Sequence, residues 1–188
     1  MATYTIFAGV NGAGKTSIYE SIYYERNKNE KRINTDEMVA RIGSWKDNNL
    51  QIKCAREAVK LINYYIKNDI SFNQETTLAG KSIIKNIERA RQRGFYVVIN
   101  YIGVNNPNIA KERVRIRVLK GGHGIPDEAI ERRYYESLEN LKEVLNVCNE
   151  VNIYDNTNRF KDVAYICGGK IKWRRNIIPE WSRDILIK

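Results

Sequence analysis

Residues 9–16 read Gly-Val-Asn-Gly-Ala-Gly-Lys-Thr. Two glycines bracket four residues and a Lys-Thr pair follows, the spacing of a loop that wraps phosphate groups. In such a loop backbone N–H groups converge on an anion, and the next helix adds about half a positive charge at its N-terminus. Lys15 would reach the β- and γ-phosphates, and the Thr16 hydroxyl would ligate Mg²⁺. The expected contacts to ATP or GTP are Gly9, Asn11, Gly12, Ala13, Gly14, Lys15, Thr16 and Ser17.

Asp36 and Glu75 offer carboxylates farther along the chain. A carboxylate at Asp36 can take the proton of a hydroxyl as that hydroxyl attacks a γ-phosphoryl group. It can also hold Mg²⁺ through water, or serve as an acidic residue at a helix start, with Thr35 as the cap. Glu75, with Thr76 after it, ends a predicted strand and could order a metal-bound water or a substrate hydroxyl. The second carboxylate for the metal stays open, because the strongest strand ends in Asn100-Tyr101.

A third group is basic. Arg113, Arg117 and Lys120 recur at spacings of four and three, on one face of a helix, while Arg115 points elsewhere. Arg132 and Arg133 lie on the next helix, and Gly121-Gly122-His123-Gly124 joins the two. Paired helices on a glycine corner describe a lid that closes on phosphates. Arginine suits that task because its planar fork matches phosphate oxygens. We take Arg117 as the catalytic arginine, with Glu75, Thr76, Arg113, His123, Arg132 and Arg133 facing substrate.

These residues need elements to hold them. Residues 4–8 are apolar and β-branched, a buried strand before the glycine loop. Ile18, Ser21, Ile22 and Glu25 then recur at helical spacing. A short strand over 31–34 leads to Asp36. A helix capped by Ser44 runs to about Lys67, with Ala55, Ala58, Val59, Ile62, Tyr65 and Ile66 on one face. Residues 70–73 form the strand that delivers Glu75, and residues 80–93 a helix closed by Gly94. Residues 95–102 are apolar on both faces, as in a central parallel strand.

Asn106-Pro107 opens the first lid helix. Pro126 restarts the chain at the first position of the second, which runs to about Cys148. Strands over 151–154 and 163–166 close the pattern. The expected fold is α/β, a mostly parallel sheet flanked by helices, with ligands at the carboxyl ends of the strands. The 188 residues suit one domain, with a lid over about 106–135 and a tail from about 170.

Net charge is +10 and the apolar fraction 43%. That composition supports a core and speaks against disorder. The charge is a statement about partners: phosphorylated metabolites, an acidic protein or nucleic acid. No apolar run is long enough to span a membrane. Cys54, Cys148 and Cys167 have neither metal-ligand nor disulfide spacing. With no leader pattern at the N-terminus, a reduced cytoplasmic protein is expected.

The same residues resemble the zeta-toxin family of small-molecule kinases. The resemblance rests on 8–16, on Asn34-Thr35-Asp36-Glu37, on Glu75-Thr76-Thr77-Leu78, and on Arg113 through Pro126 with Gly121-Gly122-His123. It continues through Arg132-Arg133-Tyr134 and Ser137-Leu138-Glu139-Asn140-Leu141. It implies a nucleoside-kinase-like core using ATP and Mg²⁺, with Asp36 as general base, Lys15 on the phosphates and lid arginines on the transferred group. It also implies phosphorylation of a UDP-sugar such as UDP-N-acetylglucosamine, and a small antitoxin that blocks the nucleotide site. The chain departs from the larger toxins in being shorter, and in carrying His123 where a lid arginine is expected.

Two other readings compete with a kinase for a nucleotide-sugar. One is a polynucleotide 5′-hydroxyl kinase. The other is a non-catalytic ATP-binding module or nucleic-acid-binding ATPase. Asp36 favours hydroxyl transfer over the latter. Single-strand binding would call for a strand that interleaves aromatic and basic residues, and none is recognised.

Overall fold

The computed structural model describes residues 1–27 and 30–187. Seven strands form one sheet in the order β2-β3-β1-β4-β5-β6-β7. They are β1 Thr3–Ala8, β2 Lys31–Ile33, β3 Phe72–Thr76, β4 Tyr96–Gly103, β5 Glu150–Asp155, β6 Lys161–Cys167 and β7 Lys170–Arg174. The first five are parallel, and β6 and β7 add antiparallel. The central strands have no solvated face: Tyr4, Ile6 and Phe7 of β1 and Val97, Ile99 and Ile102 of β4 are fully buried. Continuous apolar runs are what a sheet covered on both sides requires.

The helices are α1 Lys15–Ile18, α2 Thr35–Ile42, α3 Asn48–Lys67, α4 Lys81–Gln92, α5 Pro107–Leu119, α6 Asp127–Val144 and α7 Arg183–Leu186. The helix after the glycine loop is α-helical for one turn only. It widens to a π-turn over Tyr19–Tyr23 and ends as a 3-10 turn over Tyr24–Arg26. The Tyr19 and Tyr23 rings both pack edge-on against Phe7 of β1, 5.3 and 5.1 Å away. Ile18 is buried as its spacing predicts, and the Ile22 side chain lies outside the described residues.

Several boundaries differ from the sequence reading. Thr35 does not cap α2. Asn34 does, accepting from the amides of Asp36 and Glu37 at 3.0 and 3.3 Å. Asp47, not Ser44, caps α3. The buried stripe of α3 is Cys54, Ala58, Ile62 and Ile66, leaving Ala55 and Val59 exposed. Strand β3 runs three residues past the predicted end, to Thr76, so Glu75 is inside it, paired with Phe7. Pro126 is the N-cap of α6 rather than its first residue, and α6 ends at Val144.

The sheet also continues into the tail. β7 pairs with β6, and Trp181 is buried beneath Gly103, its ring tilted 39° to that of Tyr101 and its Nε1 donating to Asp155 at 2.9 Å. Asp155 ends β5, one residue past the expected strand, and it is occupied in tying down this tail.

Candidate active site

The glycine loop links the end of β1 to α1. Gly12 shows why its residue type is required. Its φ is +83°, and a Cβ there would sit 2.5 Å from the Ala110 carbonyl oxygen of the first lid helix. The loop is braced from a second side by Asn156, whose Nδ2 donates to the Ala13 carbonyl at 2.8 Å. Lys15 is buried and donates to the carbonyls of Gly9 and Val10 at 2.8 and 3.1 Å. Burial lowers its pKa, against the opposing pull of Glu75 and then Asp36. Thr16 and Ser17 face solvent at the helix start.

Glu75 is the hub of the polar network. It accepts from Thr16 Oγ1 at 3.0 and 3.1 Å, from Arg32 Nη2 at 2.8 Å and from Asn34 Nδ2 at 3.0 Å. Arg32 in turn pairs with Glu37 at 2.8 Å and lies 3.6 Å over the Tyr19 ring. A carboxylate so held is fixed in place beside the Thr16 hydroxyl. That pair supplies hard oxygen donors of the kind Mg²⁺ takes, one or two from protein and the rest from phosphate and water. Among the described residues no group of three or more His, Cys, Asp or Glu forms a protein-only cage. The Thr16 and Glu75 oxygens fit a Mg²⁺ carried by phosphate.

A cavity of about 460 Å³ opens beside the loop, lined by Asn11, Lys15, Asp36, Glu75, Thr76, His123, Arg132 and Arg133 among others. Eight of the residues singled out from sequence thus meet in one chamber, drawn from the glycine loop, α1, α2, β3, the lid corner and α6. The Asp36 side chain is half-exposed, 3.9 Å from His123 Nε2. Burial lowers the His123 pKa; Asp36 opposes this, and Arg117 and Arg133 reinforce it. Burial, then Arg132, also lowers that of Arg133, which donates to the Asn11 side chain at 3.0 Å. Three bases in one chamber are thus held below their ordinary values, chiefly by burial.

The lid arginines divide. Arg113 turns away from the chamber and donates to the Thr157 carbonyl at 2.9 Å. Arg117 donates through Nε to the His123 carbonyl at 2.8 Å and is not among the chamber's lining residues. Arg113 Nη1, Arg117 Nη2 and His123 Nδ1 are buried without a hydrogen-bond partner among the described residues. Buried donors in that state call for an acceptor. Lys120 is exposed. Lid helix α5 is tied to α6 by Lys111–Glu131 at 2.6 Å and by Arg115–Asp127.

Sequence reasoning missed Arg32, Asn156 and, as a site residue, Asn34. Asn34 belonged to a recognised segment but was passed over for its neighbours. Asn156 carries no local signal, because its partner Ala13 is far away in sequence, and the local pairing of Arg32 with Glu37 says nothing of its bond to Glu75.

A family model described as Zeta toxin matches residues 3–164. An uncharacterized protein of Haemophilus influenzae is 34% identical over 128 residues, covering 68% of this chain and 89% of that protein. Among solved structures, AvrRxo1-ORF1 in its complex with AvrRxo1-ORF2 superposes with a TM-score of 0.76 at 13% identity. The alignment covers 98% of this chain and 63% of that one, so this chain spans less than two thirds of its length. A structure from the PezAT toxin–antitoxin system of Streptococcus pneumoniae gives 0.64 at 19% identity, over 87% of this chain and 72% of that one. At these identities the two structures speak to the fold alone. The family match, which spans most of the chain and contains every residue of the chamber, settles membership: the chain belongs to the zeta toxin family.

Proposed function

We propose that the protein transfers the γ-phosphoryl group of ATP to a hydroxyl of a small metabolite of the nucleotide-sugar class, bound in the chamber beside the glycine loop. The observation that carries this reading is the meeting of Lys15, Asp36, Glu75 and Arg133 around one cavity. The loop amides and Lys15 bind the phosphates. Thr16 and Glu75 would hold Mg²⁺, which when bound would neutralise phosphate charge. Asp36 accepts the proton of the acceptor hydroxyl as its oxygen bonds to the γ-phosphorus. The bond from that phosphorus to the β–γ bridging oxygen breaks, and ADP leaves. Arg133 and Arg132 face the transferred group from α6. Arg117 needs only to exchange its bond with the His123 carbonyl for one with phosphate to join them.

AvrRxo1-ORF1 was solved with a partner protein and, in another structure, with ATP; the Streptococcus pneumoniae relative belongs to a toxin–antitoxin system. With a net charge of +10, this chain suits a small acidic antitoxin, and we include that partner in the proposal. Labelled ATP incubated with UDP-sugars and with oligonucleotides tests the acceptor. Label on a UDP-sugar is the expected result, and label on oligonucleotide ends alone would replace the proposed acceptor. Lys15→Ala should abolish transfer to any acceptor while leaving the circular dichroism spectrum unchanged. Unaltered turnover in a folded Lys15→Ala protein would remove the glycine loop from the mechanism.

A further inference from the structure

The sheet has a second chemical face, far from the chamber in strand order. Along β5 the residues alternate between buried and half-buried: Val151, Ile153 and Asp155 point into the core, while Glu150, Asn152 and Tyr154 point the other way. Strand register carries that outer face across the sheet. Asn152 lies opposite Tyr165 of β6, and Tyr165 opposite Trp173 of β7. Residues directly opposite one another share a face. Phe160 joins them, stacked on Tyr154 with centroids 4.8 Å apart.

Four aromatic rings thus stand on one side of the sheet's last three strands. Phe160 and Trp173 remain 38% and 47% exposed, while Tyr154 is half-buried against the apolar cluster of the lid helices. Asn152, Tyr154, Asp162, Tyr165 and Trp173 also line a common depression of about 250 Å³.

Charge accompanies the rings. Residues 159–175 hold six basic residues and one acidic, a net +5, half of the charge of the whole chain. β7 reads Lys-Ile-Lys-Trp-Arg and is exposed along its length. It is the interleaved aromatic and basic strand that the sequence reading had not recognised. Lys170 is opposite Cys167 on the aromatic side, and Lys172 is the extra residue at a bulge beside Trp173. The Arg175 guanidinium lies 6.0 Å from the centroid of the Trp173 ring, and its Nε donates to the Asp162 carbonyl. Two carboxylates share this face: Asp162, opposite Tyr154, and Glu150, whose rung runs through Cys167 to Lys170 and which acts on Tyr165.

We propose that the outer face of β5, β6 and β7 binds single-stranded nucleic acid, with bases stacked on Trp173 and Tyr165 and phosphates along Lys170, Lys172 and Arg175. Stacking on flat rings needs unpaired bases, and it tolerates any sequence because every base has a π-face. An acidic protein strand would match the charge equally well, but it would have no use for four rings in a row.

The test is fluorescence anisotropy with a labelled oligonucleotide of about twelve unpaired residues, within the span such sites cover. Contacts to about three phosphates should make log K fall against log salt with a slope of about −2. Trp173→Ala should weaken binding about 5- to 150-fold, the effect of losing one stacked base, and Trp173→Phe should restore most of it. Should Trp173→Ala fail to fold, Lys170→Glu with Lys172→Glu changes only outward side chains and should flatten the salt slope. Asp162→Asn, which removes a like charge, should tighten binding about 2- to 5-fold.

Several results would overturn the assignment: no binding at low salt, equal affinity for duplex, or indifference to both the Trp173 and the lysine changes. Displacement by ATP would assign the oligonucleotide to the glycine loop instead. Displacement by polyglutamate as effective as by unlabelled oligonucleotide would make the face a docking site for an acidic protein.

Discussion

At Asp36 two roles suggested by one residue type come apart. The α2 cap is the Asn34 side chain, and Asp36 contributes only its amide to it. The carboxylate is left free to face the chamber. Asp36→Asn should therefore keep ATP affinity and melting temperature and lose phosphoryl transfer by about 10²–10⁴-fold, the usual share of a general base. Isothermal titration, thermal melting and single-turnover kinetics on one preparation decide it; a variant that melts early yet turns over normally makes Asp36 structural.

His123 is the second residue with a sharp expectation. Burial holds its pKa below the ordinary 6.5, with Asp36 opposing and Arg117 and Arg133 adding to the shift. The unfolded chain then takes up a proton at a pH where the folded chain does not. Any stability tied to neutral His123 is intact above about pH 6.5 and falls as pH drops below it. The melting temperature of wild type should drop more between pH 7 and pH 5 than that of His123→Gln. Parallel curves would remove His123 from the balance.

At the scale of elements, the glycine loop and the first lid helix are a single packed unit. Gly12 touches the Ala110 backbone of α5, and Val10, Ala13, Val114, Ile130 and Tyr134 share one apolar cluster. A methyl group on Gly12 meets backbone that cannot swing aside and also strains a left-handed torsion. Gly12→Ala should lower the melting temperature by several degrees, at about 2–4 °C per kcal/mol for a chain of this size, and weaken ATP binding with it. Differential scanning calorimetry with and without ATP measures both.

On the lid itself, Arg117→Lys keeps a charge but loses both the Nε bond to the His123 carbonyl and the planar fork. Its turnover should fall far more than its ATP affinity. Unchanged turnover would pass the same role to Arg133, which already borders the chamber.

For the whole molecule, the parallel sheet and the tail depend on each other. Trp181 packs beneath Gly103 at the end of β4 and donates to Asp155 at the end of β5. The next residue, Asn156, braces the glycine loop. Trp181→Ala empties a large buried volume, at about 3–5 kcal/mol, and should lower the melting temperature by about 6–20 °C. Retained stability in a thermal melt would show that the tail is an ornament rather than a wall of the core.

Local patterns were enough for much of this protein. The glycine spacing with its Lys-Thr ending, the apolar runs of β1 and β4, and the caps at Asn106 and Gly94 depend on residues a few positions apart. So does the alternation of strands and helices, and from it followed the class of fold and the rim where Asp36 and Glu75 meet the loop. Tertiary structure decided what long-range partners decide. Asn34 took the cap from Thr35 because its side chain also reaches Glu75, 41 residues away. Arg113 went to Thr157 and Arg133 to the chamber, although both carry the same charge on neighbouring helices. β7 became a strand because β6 offered it an edge; its Lys-Ile-Lys-Trp-Arg run alternates basic and apolar residues, but five residues of alternation do not name the strand they pair with. Periodicity reports the face a residue shares with its neighbours in sequence; only packing selects the partner that face meets.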